Sequence, residues 1–334
     1  MKRTLNIIVK VVLPLLLATG ILWWMYRGFR WDEVRQALVS GMRWEWMLLS
    51  FPFGILAQVF RALRWRQALE PMGEHPRRHT CINAIFLSYA SSLVVPRVGE
   101  FLRCAVLRRW DGVNFGRSVG TVLCERVVDM LLILLLSLIT VVWQIPVFSD
   151  FMARTGMSLT GILSSFTSTG WMVTVLCALV ALVTAIYLFH RLHFFDRTRT
   201  AFRDLLDGLL SFRQVRSKTG FLLNSIGIWV AYYLHFYLTF YCFPFTEHLG
   251  AMAALVAFVV GSFAVLVPTP NGAGPWHFAV KTVLVLYGVE ATAGAMFVLI
   301  VHTLQTLLVM ALGFYAVAAL FLTTPRHKKQ EKMI

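Results

Sequence analysis

Charge is what this chain has least of. Only 14% of its 334 residues are Asp, Glu, Lys or Arg, against about 25% in an ordinary soluble domain. Acidic residues are the scarcer sign, 16 against 31 basic. With 58% hydrophobic residues and a mean hydropathy of +0.70, a core formed by burial from water is excluded. The composition points to an all-α polytopic membrane protein packed against lipid. Cysteine is also sparse. Cys81, Cys104, Cys124, Cys177 and Cys242 stand singly with no CxxC pair, which excludes a disulfide framework and a zinc site. They read as small apolar core residues. Enzyme signatures are missing too: there is no HExxH, GxSxG, Walker A or GxGxxG motif. Asp204 and Asp207 give no metal site by themselves, and Asp32-Glu33 reads as a solvated loop. No cofactor is implied, and enzymatic activity is the less expected outcome.

Long apolar runs are what the chain does have. They mark spanning helices near 6–26, 47–65, 118–143, 170–189, 221–243 and 291–322. Lys2 and Arg3 ahead of the first run resemble a signal-peptide start. The run from Ile7 to Tyr26 is long enough to span, however, and only Ala18-Thr19-Gly20 in its middle resembles a cleavage site. An uncleaved first helix is expected.

Basic residues set the orientation. With the N-terminus inside, the cytoplasmic segments 1–10, 61–79, 97–117, 190–218 and 323–334 carry 24 Lys and Arg against 8 Asp and Glu. The outer segments carry 5 against 6. Both termini are then cytoplasmic, and the basic balance reflects topology and anionic lipid. Nucleic-acid binding is not called for.

The same count governs two apolar stretches too short to cross alone. Segment 80–95 has strongly basic flanks on both sides. It ends in Val94-Val95-Pro96-Arg97-Val98-Gly99-Glu100-Phe101-Leu102-Arg103. A re-entrant hairpin over about 80–103, returning to the cytoplasmic side, is expected; a short tilted crossing is the alternative. The stretch 251–288 is broken by Pro268-Thr269-Pro270-Asn271-Gly272-Ala273-Gly274-Pro275, which cannot be regular helix. A second hairpin opening outward is expected. Each hairpin precedes a spanning helix with polar positions: Glu125, Arg126 and Asp129 after the first, His302, Gln305 and Thr306 after the second. Opposed interrupted helices are a transporter pattern. The chain 1–334 reads as a single integral membrane domain. Segment 190–218 alternates aromatic and charged residues, as an amphipathic helix on an anionic surface or a simple elbow would.

Ionisable groups at membrane depth are the candidate site. Arg97, Glu100 and Arg103 are spaced by three, and Arg can hold phosphate in bidentate fashion. An internal salt bridge closing the hairpin is the alternative. An Arg126–Asp129 pair would leave Glu125 free for Arg97 or Arg103, or for a proton; a self-neutralising packing network is the other reading. Lys281 needs Glu290, the chain near Asn271 or a bound anion, unless it snorkels. His277 reads as a pH-sensitive contact, and His302 as bonded to Gln305 or lining a cavity. His235 reads as a packing residue.

These residues resemble the transmembrane region of the lysylphosphatidylglycerol synthases, a flippase-like family. The matching pieces are Pro96-Arg97-Val98-Gly99-Glu100 with Arg103, Glu125-Arg126 with Asp129, and Pro268 to Gly274, with Arg61 and Arg64-Trp65 upstream. The resemblance implies handling of lipids, often aminoacylated phospholipids or lipid-linked sugars. The family's long members continue into a soluble aminoacyltransferase domain. Here about a dozen residues follow the last helix, so that activity is not implied. Where the family shows Gly-Gly-x-Gly followed by Glu, this chain has Asn271-Gly272-Ala273-Gly274 followed by His277. A carboxylate for a cationic headgroup is absent there, and Arg97, Arg103, Arg126 and Lys281 favour an anionic, phosphate-bearing one.

The expectation is therefore a lipid flippase or transporter of the bacterial inner membrane. Its substrate-binding residues would be Arg97, Glu100, Arg103, Glu125, Arg126, Asp129, Asn271, Gly272, Gly274, His277, Lys281 and His302. The partners are membrane lipids, with a second copy or an envelope-biosynthesis protein left open. The alternatives are a membrane-embedded enzyme or accessory subunit acting on lipid-linked phosphate or sugar, and an envelope scaffold.

Overall fold

The computed structural model describes residues 15–29, 31–145, 215–267 and 269–325. The expected span at 170–189 and nearly all of 190–218 lie outside the described residues, as does Cys177. Among the described residues there is helix and no strand.

A first helix, α1, covers Leu15–Tyr26. The short α2 (Trp31–Gln36) and a π-helical turn (Ala37–Gly41) lead into α3, Trp44–Leu69. Then come α4 (Arg78–Ser92), α5 (Val98–Asp111) and α6 (Phe115–Trp143). After the gap follow α7 (Lys218–Tyr237), α8 (Pro244–Glu247), α9 (Gly250–Ala264), α10 (Pro275–Leu286) and α11 (Ala291–Leu322). Among the described residues, three helical stretches are long and apolar enough to cross a membrane: Trp44–Met72, Lys218–Cys242 and Ala291–Leu322. The α6 helix, at 29 residues, is about 43 Å long at 1.5 Å per residue. Leu131, Leu134, Leu135 and Leu138 on α6 face outward, as lipid-facing positions should.

These three match the spans expected near 47–65, 221–243 and 291–322, with one consequential difference in extent. The helix expected over 47–65 runs on to Leu69. Arg61 and Arg64, counted above as cytoplasmic loop charges, are inside it and buried.

The long helix α11 serves as a ruler for the two interrupted stretches. Near its start, Gly294 lies against Lys281 and Leu284 of α10, and the Ala295 carbonyl accepts from Tyr26 Oη. Further along, His302 and Thr306 meet Asn271, in the turn between α9 and α10. Beyond them Gly313 packs on Ala90 of α4 so closely that a Cβ on Gly313 would overlap it. Near the helix end the Leu320 carbonyl accepts from Trp110 Nε1 of α5, and the Thr324 carbonyl from Arg77. The helix pair α9–α10 therefore enters from the start of α11, the pair α4–α5 enters from its end, and the two turns approach near its middle. We call α4–α5 hairpin 1 and α9–α10 hairpin 2.

Local chemistry makes each turn. In hairpin 1 the helix stops at Ser92, and Arg97 takes a left-handed backbone (φ 63°) before α5 restarts. Gly99 lies under the Ser88 carbonyl, where a Cβ would collide with it, so the two limbs close directly on each other. In hairpin 2 Pro270–Gly272 forms a single 3-10 turn with Asn271 left-handed (φ 51°). Each hairpin has its own core. Trp65, Ile85, Cys104, Leu107, Val122 and Leu320 pack around hairpin 1. Phe236, Phe240, Phe243, Val280 and Phe297 pack around hairpin 2.

Candidate functional site

The polar positions of α3, α5 and α6 converge. Asp129 of α6 accepts from Arg61 Nη1 at 2.7 Å, and its other oxygen is 2.7 Å from Arg64 Nη2. Glu125, one turn earlier, is 2.8 Å from Arg103 Nη1 of α5 and 3.4 Å from Arg64 Nε. Arg126 reaches Asp129 at 3.3 Å and Glu100 at 3.6 Å. Four guanidiniums thus share three carboxylates. The Arg61, Arg64, Arg103, Glu125 and Asp129 side chains are almost wholly buried, whereas Arg126 and Glu100 are partly exposed. Buried charge of this kind is tolerable only when paired in good geometry. The Arg103 guanidinium also lies over the Trp65 ring, 4.6 Å from its centroid, and Trp65 Nε1 donates to Thr121 Oγ1 at 3.0 Å. Beside Arg61, Tyr232 Oη donates to Tyr89 Oη at 2.9 Å, which brings α7 and α4 to the same place. Arg103 Nε and Nη2 and Arg61 Nε have no hydrogen-bond partner among the described residues.

Where the hairpin turns approach, Arg97 is exposed and Arg97 Nη2 donates to the Leu266 carbonyl of hairpin 2 at 3.3 Å. Among the described residues no carboxylate lies within ion-pair distance of it. On the other turn Asn271 Nδ2 donates to Thr306 Oγ1 at 2.8 Å, and His302 Nε2 bonds the Asn271 carbonyl at 3.1 Å. Gly274 N–H donates to His277 Nδ1 at 3.3 Å, and the His277 and His302 rings stand 4.5 Å apart. Gly272 is buried in the turn with φ 71°.

The twelve expected residues therefore do not form one cluster. Glu100, Arg103, Glu125, Arg126 and Asp129 make one group, and Asn271, Gly272, Gly274, His277 and His302 make another. Arg97 stands between the hairpin turns. Lys281 is one turn beyond His277 on α10 and makes no ion pair among the described residues. Glu290 is not its partner, because that carboxylate caps α11, accepting from Thr292 N–H and Ala293 N–H at 3.0 Å each. Two finer pairings differ from expectation, and a third falls within it. Glu100 pairs with Arg126 and not with its α5 neighbour Arg103, whose guanidinium turns inward to Glu125. His302 bonds Asn271 and not Gln305, whose amide instead donates to the His235 carbonyl at 3.2 Å. Glu125 meets Arg103 as foreseen, but Arg97 is elsewhere. His235 is a packing residue, bonded to the Ser50 carbonyl at 2.8 Å and seated against Gly54.

Arg61 and Arg64 are the members of this buried network that were counted as cytoplasmic loop charges. Two arginines three apart in an apolar run match two carboxylates four apart in another, and that complementarity is visible in the sequence.

The all-helical architecture of the described residues, their membrane-length apolar helices and the ionisable groups buried among them define a polytopic membrane protein. The family described as the lysylphosphatidylglycerol synthase TM region matches residues 11–313, and the chain belongs to it. No curated protein and no solved structure matches the chain.

Proposed function

We propose that this protein moves an anionic, phosphate-bearing lipid headgroup between two half-membrane cavities formed by the opposed hairpins, while the acyl chains stay in the bilayer. The observation that carries this reading is Arg97. It is an exposed guanidinium on a left-handed backbone between the two turns. The neighbouring site carboxylates Glu100, Glu125 and Asp129 are all engaged by other arginines. A free cation at membrane depth marks a pathway, and a guanidinium suits phosphate. In this reading the buried arginine–carboxylate network positions α5 and α6 and does not itself hold the headgroup. Asn271, His277 and His302 form the corresponding wall on hairpin 2. The carboxylates spend their oxygens on guanidiniums, so the imidazole pair His277 and His302 is the candidate proton carrier if transport is ion-coupled.

Orientation follows the basic residues. Arg66, Arg77, Arg78, Arg108, Arg109 and Arg117 lie towards the mouth of hairpin 1, which supports reading that end as cytoplasmic; the membrane in this reading is the bacterial inner membrane. The two hairpins are then re-entrant, opening to opposite faces.

The test is trans-bilayer movement of fluorescent phosphatidylglycerol in liposomes holding the purified protein. Arg97→Ala should slow movement at least tenfold, on the order of the 1.4 kcal/mol that one charge-assisted contact contributes. Glu125→Gln should slow it too, by loosening α5 from α6. Equal rates in wild type and Arg97→Ala would overturn the reading. Chemical conversion of the lipid without movement would favour a membrane-embedded enzyme instead.

A further inference from the structure

A shallow cavity of about 460 Å³ lies at the mouth of hairpin 1, lined by Ala105, Arg108 and Arg109 of α5 and Phe115 at the start of α6. Arg108 and Arg109 are exposed, and among the described residues neither has a carboxylate within ion-pair distance. Arg109 lies over the Trp110 ring, 5.3 Å from its centroid. Their position in the last turn of α5 suits the negative end of the helix, but that does not account for a cavity walled by an alanine and an aromatic ring.

The cavity continues upward as a seam. On α5 the outward positions Val98, Phe101, Ala105 and Arg108 recur at helical spacing and form one stripe. Val98 and Phe101 are exposed apolar side chains. Across the seam α6 presents Leu123, Arg126 and Val127, all exposed. The Arg126–Glu100 pair ties the two helices at the turn end of the seam. Guanidiniums thus occur at two heights: Arg108 and Arg109 at the mouth, and Arg126 and Arg97 near the turn, where Arg126 pairs with Glu100. From Arg108 to Arg97 is eleven residues of chain, about 16 Å at 1.5 Å per residue and close to half a hydrocarbon core.

We propose that this seam is the loading site for an anionic glycerophospholipid. Its phosphate would sit in the cavity on Arg108 and Arg109, and its acyl chains would lie along Phe101, Val98 and Leu123. Charge complementarity selects the anionic headgroup. The apolar, outward-facing stripe directly above the cations selects a lipid over free phosphate. The proposal rests on the transport reading and supplies its first step: the headgroup leaves the two mouth arginines for Arg126 and Arg97 near the turn.

The experiment is lipid binding, which does not depend on transport. Native mass spectrometry of the purified full chain is titrated with phosphatidylglycerol or phosphatidylcholine. The double variant Arg108→Gln/Arg109→Gln should bind phosphatidylglycerol roughly 30-fold more weakly, the effect of two basic residues at a charged surface. Arg78→Gln removes an exposed charge at the same end of the molecule and should leave binding unchanged. Phosphatidylcholine should bind weakly to every form. Equal affinity in the double variant and wild type, or an equal loss in Arg78→Gln, overturns the loading site and leaves the transport reading intact. Displacement of the lipid by millimolar inorganic phosphate would show a site for phosphate alone and overturn the lipid assignment. Loss of transport activity in wild type with binding intact would overturn the transport reading and not this site.

Discussion

At the scale of single residues, Asp129 is the hub. It is met by Arg61, Arg64 and Arg126, so removing its carboxylate leaves two buried guanidiniums without their closest partner. Asp129→Ala should lower unfolding stability by about 3–5 kcal/mol, the cost of breaking a buried pair from one side. Glu100→Gln touches a longer, partly exposed pair with Arg126 and should cost under about 1 kcal/mol. Chemical unfolding of the two variants in detergent compares them directly; similar losses would mean the network is not organised around Asp129. The carboxylate half of this network was legible in the sequence, because Glu125 and Asp129 interrupt an apolar run one helical turn apart. The arginine half was legible only in part. Arg61 and Arg64 sit close to a helix end, where a charge rule reads them as loop residues, and only the continuation of α3 to Leu69 moves them inside. Which arginine meets which carboxylate depends on how α5 rotates against α6, and spacing along one chain carries no information about that rotation.

At the scale of elements, hairpin 1 and α11 are joined through the Gly313–Ala90 approach. Gly313→Val would force the helices apart and should destabilise by about 1–3 kcal/mol, as overpacking does. Thermal unfolding of the variant checks it, and an unchanged midpoint would mean the interface is looser than described. The start of α11 gives a pH prediction. Thr292 N–H and Ala293 N–H hold the Glu290 carboxyl below its ordinary value, with Lys281 adding a smaller electrostatic effect. A carboxylate whose value is depressed by folding stabilises the fold while ionised, and this contribution fades as pH falls through the folded-state value. Acidification should therefore loosen the α10–α11 junction in wild type. Glu290→Gln should flatten that part of the stability profile, measured as unfolding midpoint against pH. Most helix positions were readable from hydropathy alone. The tilt and pairing of the short helices were not, because limbs of 12 to 15 residues are compatible with either a hairpin or a thin crossing.

At the scale of the whole molecule, the proposed mechanism rests on the arrangement along α11. The start of α11 meets α10 of hairpin 2, its middle meets the hairpin 2 turn, and its later part and end meet α4 and α5 of hairpin 1. In the proposed transport reading, the two hairpins are wedges entering from opposite faces, and Arg97 stands at the edge of the septum between them. Alternating exposure of that septum requires only small movements of either hairpin. The recurrence of hairpin followed by polar helix was visible in the sequence as a pattern. That the two turns meet was not, since the Arg97–Leu266 contact joins residues far apart in the chain. The opposed hairpins are tested most directly by sidedness. In a background lacking the native cysteines, Arg109→Cys at the mouth of hairpin 1 and Gly288→Cys at the mouth of hairpin 2 are labelled with a membrane-impermeant maleimide. Intact cells should label position 288 and not position 109, and inverted membrane vesicles should do the reverse. Labelling of both positions from the same face would contradict the opposed-hairpin architecture and the pathway built on it.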